Sequence, residues 1–480
     1  GIPSVFFYSK AAGTLCGETA VRGRAKPVQN RINRLKRHLG ETMTLDGREI
    51  SYDEAITEVI QHCVRSANKK LQSGWQMTTN EIALSYPATY TSAQRQRLIE
   101  LAEKASLADG TQVHVSGTIA EPAAAGLDYL SRFGSDKETT VLVYDLGGGT
   151  FDLALVALYP KGRTNGDGDY YYDILAVDGL EDVGGGEFDE IMYQLIEQKL
   201  QVPLNPSHKA ALRAEAEKIK KDLTFDAYAD AEVLYNNEYL TVRVTREEFE
   251  TASRELLMRT IEATKKMFER HSNQKPETII LTGGASQMPM VKRALEEAFP
   301  EYKGDEMKHK EDKIQISNPS RAIADGAARY GTAEAMNDIA EKAEAVSVVQ
   351  TRVGYDLGIR FYHSVDDESG YISTYIPAGT PIPYQAAYQN STTLHEDQRY
   401  SGFTVYEANK AHPDSEQVAE DYTEIMKVSL DHGREVPKGT RNESRLCIDK
   451  LGVLTIEARE ADHPEKPIKS TVELKNLSIS

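Results

Sequence analysis

Asp145-Leu-Gly-Gly-Gly-Thr-Phe-Asp152 limits what this chain can fold into more than any other stretch. Thr139 to Tyr144 before it is an apolar, β-branched run, and Phe151, Leu153 and Leu155 alternate after it. The spacing predicts two strands of a hairpin joined by a turn made largely of Gly147, Gly148 and Gly149. Consecutive glycines at the end of a buried strand let backbone N–H groups converge on one point without Cβ obstruction, which suits phosphate. Thr150 adds a hydroxyl donor. Asp145 and Asp152 bracket the turn, where carboxylates can hold a hydrated Mg²⁺ beside phosphates, since that ion keeps most of its waters. Glycines alone would read as a hairpin turn with solvated acids; the two acids and the hydroxyl shift the reading toward phosphate.

The first ~340 residues alternate strand-like and helix-like stretches, the pattern of an α/β fold. Ser51 with Glu54 reads as a capping box before a helix carrying Ile56, Val59, Ile60, Cys63 and Val64. Ile82 to Tyr86 reads as a strand stopped by Pro87, with Ser92 placed to cap the next helix. Tyr235 to Val244 holds an Asn236-Asn237 turn, and Thr245 with Glu248 forms a second capping box opening a long helix. A second strand-to-glycine turn, Leu281-Thr-Gly-Gly-Ala, resembles the first, and Gly283 and Gly284 there admit a flat ligand. The pairing of the turns suggests two similar halves closing on one nucleotide. Gly184-Gly185-Gly186 before Glu187 reads as a loop. Glu217, Lys220 and Thr224 share one helix face and could grip a ribose and a base edge, or form an ordinary exposed ion pair. Lys36 lies in a basic helix face, and Glu121 precedes Pro122 at a helix start.

Composition excludes several classes. With 56 Lys and Arg against 74 Asp and Glu, the net charge of −18 repels nucleic acid over most of the surface. No apolar run approaches the ~20 residues of a membrane helix. Cys16, Cys63 and Cys447 form no short-spaced pair, which fits a reducing, cytoplasmic compartment. No histidine pair of zinc spacing, no Gly-x-Ser-x-Gly elbow and no Walker loop occurs. Near residue 345 the alanine-rich stretch Ala322 to Lys342 gives way to Thr, Tyr, Gly and Pro, so a linker over 343–352 and an all-β domain over 353–480 are expected.

In order, these motifs resemble the heat-shock-70 (DnaK-like) chaperone family. The matching segments include Leu35-Lys-Arg-His-Leu-Gly40, Tyr86-Pro-Ala-Thr-Tyr90, Glu121-Pro-Ala-Ala-Ala125, Asp145 to Asp152, Gly184-Gly185 with Phe188-Asp189, Gly283-Gly284, Asn318-Pro319 and Asp325-Gly-Ala-Ala328. The resemblance implies an actin-like, two-lobed ATPase domain over 1–342 and a β-sandwich peptide-binding domain after the linker. Its cofactors would be ATP or ADP with Mg²⁺. Lys36 resembles the lysine that positions the attacking water, and Glu121, Asp145 and Asp152 the carboxylates around the metal. Thr150 resembles the threonine facing the γ-phosphate. Glu217, Lys220, Thr224, Gly283 and Gly284 resemble adenosine contacts, Gly184 and Gly185 resemble further nucleotide-binding positions, and Gln287 stands where an adenine-stacking arginine is usual. The implied partners are extended peptide segments, co-chaperones and nucleotide-exchange factors, without nucleic acid or membrane. The family's opening phosphate turn would precede Gly1, and no helical lid follows Lys475. In the β domain, the central pocket position falls near Ser401 and the first loop, Val365 to Glu368, is acidic, so polar peptides that dissociate fast are expected. Gln350 and Thr351 replace apolar and acidic linker positions, which implies weak domain coupling. A kinase of the same superfamily and a non-enzymatic scaffold are the rival readings.

Overall fold

The structure is a computed structural model that describes residues 2–22, 28–90, 92–134, 137–160, 170–235, 238–304, 311–317, 321–339, 348–351, 353, 355–367, 369–378, 380–408, 413–449 and 453–473. The glycine-turn segment forms the expected hairpin, strands Thr139–Leu146 and Phe151–Pro160 pairing antiparallel from Thr139↔Leu158 to Leu146↔Phe151. The hairpin lies at the centre of a six-stranded sheet. Thr278–Thr282 and then Ile314–Ile316 add in parallel on one side, and Tyr170–Leu180 and then Val348–Thr351 on the other.

Both faces of this hairpin are covered, so its strands are apolar at nearly every position rather than every second one. Leu142, Tyr144, Leu146, Phe151, Leu153 and Leu155 face one core, with helices Gly185–Leu200, Pro206–Phe225 and Arg246–Arg270. Val141, Val143, Ala154, Val156 and Leu158 face a second core, with Glu121–Phe133 and Ala322–Ile339. Those two cores define two lobes, the second core also holding helix Tyr52–Trp75 and the parallel pair Glu81–Tyr86 and His114–Ala120. This is the α/β arrangement read from the sequence.

Helices Glu121–Phe133 and Ala322–Ile339 cross backbone to backbone at Gly326, where any Cβ would fall inside the Ala124 carbonyl. Gly326→Ala is expected to destabilise the fold by about 1–3 kcal/mol or more, measured by urea denaturation, because neither backbone can give way. Gly148→Ala, with open space around it, is the control for helix-free glycine loss.

The all-β domain is a sandwich. One sheet has the order Tyr371–Ile376, Leu357–Phe361, Gln398–Ala408, Tyr422–Val436; the other is Tyr384–Gln385, Arg441–Ile448, Val453–Glu460, Ile468–Glu473, with Gln389–Thr392 also paired to Arg441–Ile448. Inward residues Leu357, Ile359, Phe403, Val405, Leu446, Ile448, Leu454 and Ile456 fill the space between them. A cavity of about 1020 Å³ separates the sandwich from the two lobes, lined by Val177, Glu181, Glu262 and Arg270 on one side and by Tyr355 and Glu407 on the other.

Local differences from the sequence reading have physical causes. Ser51 caps its helix through the Glu54 N–H, but the Glu54 carboxylate takes Arg48 instead of returning to the cap. Thr245 and Glu248 form the full reciprocal box. Of the expected linker, Val348–Thr351 is a sheet strand registered from Tyr171↔Val348 to Ile174↔Thr351. The Asn236-Asn237 turn, Asn318-Pro319, Glu368, residues 340–347 and residues 474–480 lie outside the described residues. Among the described residues no helix is long and apolar enough to cross a membrane.

Candidate functional site

The two glycine turns meet because their strands are neighbours. Thr278–Thr282 runs parallel to Thr139–Leu146, with Thr282 opposite Asp145, so both turns leave the same edge of one sheet at the carboxyl ends of its strands. They do not belong to opposing halves, as the sequence pairing suggested. Ser286 links them, its Oγ accepting from Leu146 N at 3.0 Å. Gly283 needs its left-handed φ of 80°, and a Cβ there would overlap Asp145 Oδ1 and the Leu146 carbonyl.

Within the first turn the donors divide. Gly147 N–H closes the turn on Thr150 O at 3.0 Å. Among the described residues no acceptor meets the N–H groups of Gly148, Gly149 or Thr150, which leaves them for an anion. Gly185 and Gly186 donate to Gly147 O and Gly148 O at 2.8 and 3.0 Å, so this third glycine run braces the nest instead of extending it. Gly184 is bound to that role, since a Cβ would come 2.5 Å from the Gly149 carbonyl carbon.

Asp145 and Asp152 are cross-strand partners and both are buried. Asp152 accepts from Ala88 N at 2.7 Å and from Thr150 Oγ1 at 2.5 Å. Burial, with Glu121 beside it, still pushes the Asp152 carboxyl up to about 7. Burial pushes Asp145 well above the carboxylate range, the charges of Asp152 and Glu121 adding to it and Lys36 opposing it. Asp145 Oδ1 is buried without a hydrogen-bond partner. A cation is what such a cluster lacks, because it favours the ionised form of each acid. Three acids do not converge at direct-ligand spacing among the described residues. The donor set therefore suits a hydrated Mg²⁺ held through its waters.

Across the cleft, Lys36 lies on a 3₁₀ turn, Leu35–His38, and ion-pairs with Glu121, the first residue of its helix. Tyr90 fixes that turn, its hydroxyl donating to Lys36 O at 2.7 Å. On the other flank, buried Lys220 donates to Gly185 O at 2.8 Å and ion-pairs with Asp189 at 2.6 Å. Lys220 and Thr224 line a crevice with Met288 and Pro289, just beyond the exposed Gln287. Glu217 instead pairs with Lys221 at 2.7 Å, which holds its carboxyl below the usual range. The structure thus brings Lys36, Glu121, Asp145, Thr150, Asp152, Gly184, Gly185, Lys220, Thr224, Gly283 and Gly284 around one cleft, with Glu217 near Lys220 and Arg34 but paired with Lys221 of its own helix.

Sequence reasoning missed Arg34, Arg37, Asp189 and Ser286. Arg37 crosses the cleft to Glu187 in a two-pronged bridge at 2.8 and 3.1 Å. Arg37 and Asp189 lie in segments that carry the resemblance, and Ser286 follows the glycine pair; those positions were the signal.

In the sandwich, Ser401 is a buried node and not a pocket wall. Its Oγ meets His432 Nε2 at 2.9 Å and accepts from Asn442 Nδ2 at 2.9 Å, while His432 Nδ1 meets Glu460 Oε2 at 2.9 Å. The order serine, histidine, glutamate is that of a hydrolase triad, but the hydroxyl is enclosed within the sandwich and already engaged on both sides, so no acyl group can reach it.

Residues 42–477 match the family model described as Hsp70 protein. The chaperone protein DnaK of Thermosipho africanus (strain TCF52B) is 27% identical over 521 residues, covering 99% of this chain and 80% of the relative. That of Thermotoga petrophila is 27% identical over 522 residues with the same coverage. That of Thermosipho melanesiensis is 28% identical over 480 residues, covering 95% and 72%. A match over this much of the chain, joined to two glycine turns on adjacent strands and a β sandwich after the lobes, makes the chain a member of the Hsp70 family.

Proposed function

We propose that the chain binds ATP and ADP with Mg²⁺ in the cleft between its lobes, hydrolyses ATP slowly, and couples this to binding of extended peptides by the β sandwich. The observation that carries the reading is the nest: N–H groups of Gly148, Gly149 and Thr150 that meet no acceptor among the described residues, beside the buried Asp145 Oδ1, which has no hydrogen-bond partner among them either. Mg²⁺, when bound, would neutralise phosphate charge and keep Asp145 and Asp152 ionised, with Glu121 at its outer waters. The chain's own part is positioning. The nest holds a phosphate, the Lys36 ammonium orients a water on its far side, and Thr150 holds Asp152 in place. Lys220, Thr224, Gly283 and Gly284 receive the adenosine, with Gln287 at the base edge.

The domain limits in this reading are 1–342, 343–352 and 353–480. Co-chaperones and nucleotide-exchange factors are the expected partners, and the cytoplasm the expected compartment. Calorimetry with Mg-ADP tests the reading. Saturable binding is expected to raise the unfolding free energy by about 2.7 kcal/mol at a hundredfold excess over Kd. Binding of Mg-ADP that survives Gly283→Val unchanged would refute the site assigned, since that side chain fills the turn.

A further inference from the structure

Gly186 braces the glycine turn through its backbone N–H, and its lack of a side chain is used as well. A Cβ there would fall inside the guanidinium of Arg34, which occupies that space. Arg34 comes from the opposite lobe. It precedes the 3₁₀ turn that carries Lys36 and holds a left-handed backbone, φ 57° and ψ 33°, uncommon for a residue with a side chain. From there its Nη2 donates to Asp189 Oδ2 at 3.1 Å. Asp189 is shared: its other oxygen pairs with Lys220, the lysine on the adenosine side. Arg37 makes the parallel crossing to Glu187, two residues earlier on the same helix. Two arginines of one short turn are thus fastened to the first turn of helix Gly185–Leu200, whose opening glycines brace the phosphate nest.

We propose that Arg34, seated on Gly186 and bonded to Asp189, is a cross-cleft latch that retains bound nucleotide by holding its own lobe against the opening turn of this helix. The inference rests on the nucleotide reading above. Arg34 touches no reacting atom and is a positioning residue. A nucleotide enclosed between the lobes leaves only when they part, and parting breaks this contact, so the latch acts on dissociation more than on encounter.

The test is stopped-flow release of a fluorescently labelled ADP from the full chain. Arg34→Ala is expected to speed release roughly fivefold, the scale of one partly exposed ion pair, with association changed less than about twofold. Gly186→Ala reaches the same result from the other side, because the three atoms nearest its methyl all belong to the flexible end of Arg34. The double variant is expected to release no faster than either single one, since both remove a single contact. Added salt is expected to accelerate release from the unaltered chain more than from either variant. A general loosening of the fold would instead lower the thermal midpoint without nucleotide and make the two substitutions additive, which overturns the proposal. Unchanged release from both variants overturns the latch alone. Failure of the unaltered chain to bind ADP overturns the nucleotide reading and the latch with it.

Discussion

Lys36→Ala is expected to slow single-turnover ATP hydrolysis by about 10²–10³-fold, the usual cost of removing one preorganised donor from a transition state, while ADP affinity changes by less than about threefold. Two effects act together. The ammonium on the Leu35–His38 turn is the one cation paired with Glu121 among the described residues, and in the proposed mechanism it orients the attacking water. Its charge also opposes the upward shift of both Asp145 and Asp152. Without it the two carboxyls move further up, and a higher Mg²⁺ concentration is needed to saturate the residual rate. Rapid-quench measurements over a Mg²⁺ series separate the two, because only the second effect is recovered by added metal. An unchanged rate at saturating Mg²⁺ would remove Lys36 from the mechanism.

Glu407→Gln is expected to stabilise the chain at neutral pH by about 3 kcal/mol and to do nothing at pH 4.5. Glu407 lies buried beside the cavity between the lobes and the sandwich, and burial lifts its carboxyl to about 8, with Arg270 pulling the other way. Arg270 is already engaged by Asp178 at 3.3 Å, and Asp178, Glu181 and Glu262 add further negative charge along the cavity. The folded carboxyl binds its proton more tightly than the unfolded one. Its stabilising effect is therefore whole below the unfolded value of 4.5 and is lost as pH rises from there toward about 8. Glutamine keeps the shape and has no proton to lose. Urea unfolding followed by a probe in the sandwich, at pH 5 and pH 7.5, reads the difference. A gap between the two proteins that is the same at both pH values would show that the carboxyl ionises freely in the fold.

The hairpin, both capped helices and the all-β region were legible because each is written in local terms: alternation, caps and turn residues. The glycine turn with its unpaired N–H groups was legible for the same reason, since Gly147 to Asp152 are contiguous. What the sequence could not supply was adjacency. Gly283 lies 138 positions from Asp145 and reaches it only because their strands pair in parallel. Arg34 and Lys36 differ by two positions in one basic run, yet they serve opposite ends of the cleft, because the left-handed residue turns the chain between them. Ser401 was placed at a pocket because its position in the chain was right; its burial with His432 and Asn442 depends on strands 31 and 41 residues away. Glu217 followed helical spacing toward the cleft, but a lysine four residues on claimed its carboxylate.

The central hairpin also limits how such a gene can change. Its residues alternate between two cores, Val141 and Val143 on one side, Leu142 and Tyr144 on the other, and the same register sets Asp145 opposite Asp152. Exchanging one aliphatic residue for another of similar volume disturbs one core by a methyl group or so. Inserting or deleting a single codon before Asp145 reverses the facing of every residue beyond it, mixes the linings of both cores and separates the two acids. Over these strands the coding sequence can drift by substitution but not by length, whereas a surface loop such as that between Phe361 and Tyr371 is free to lengthen.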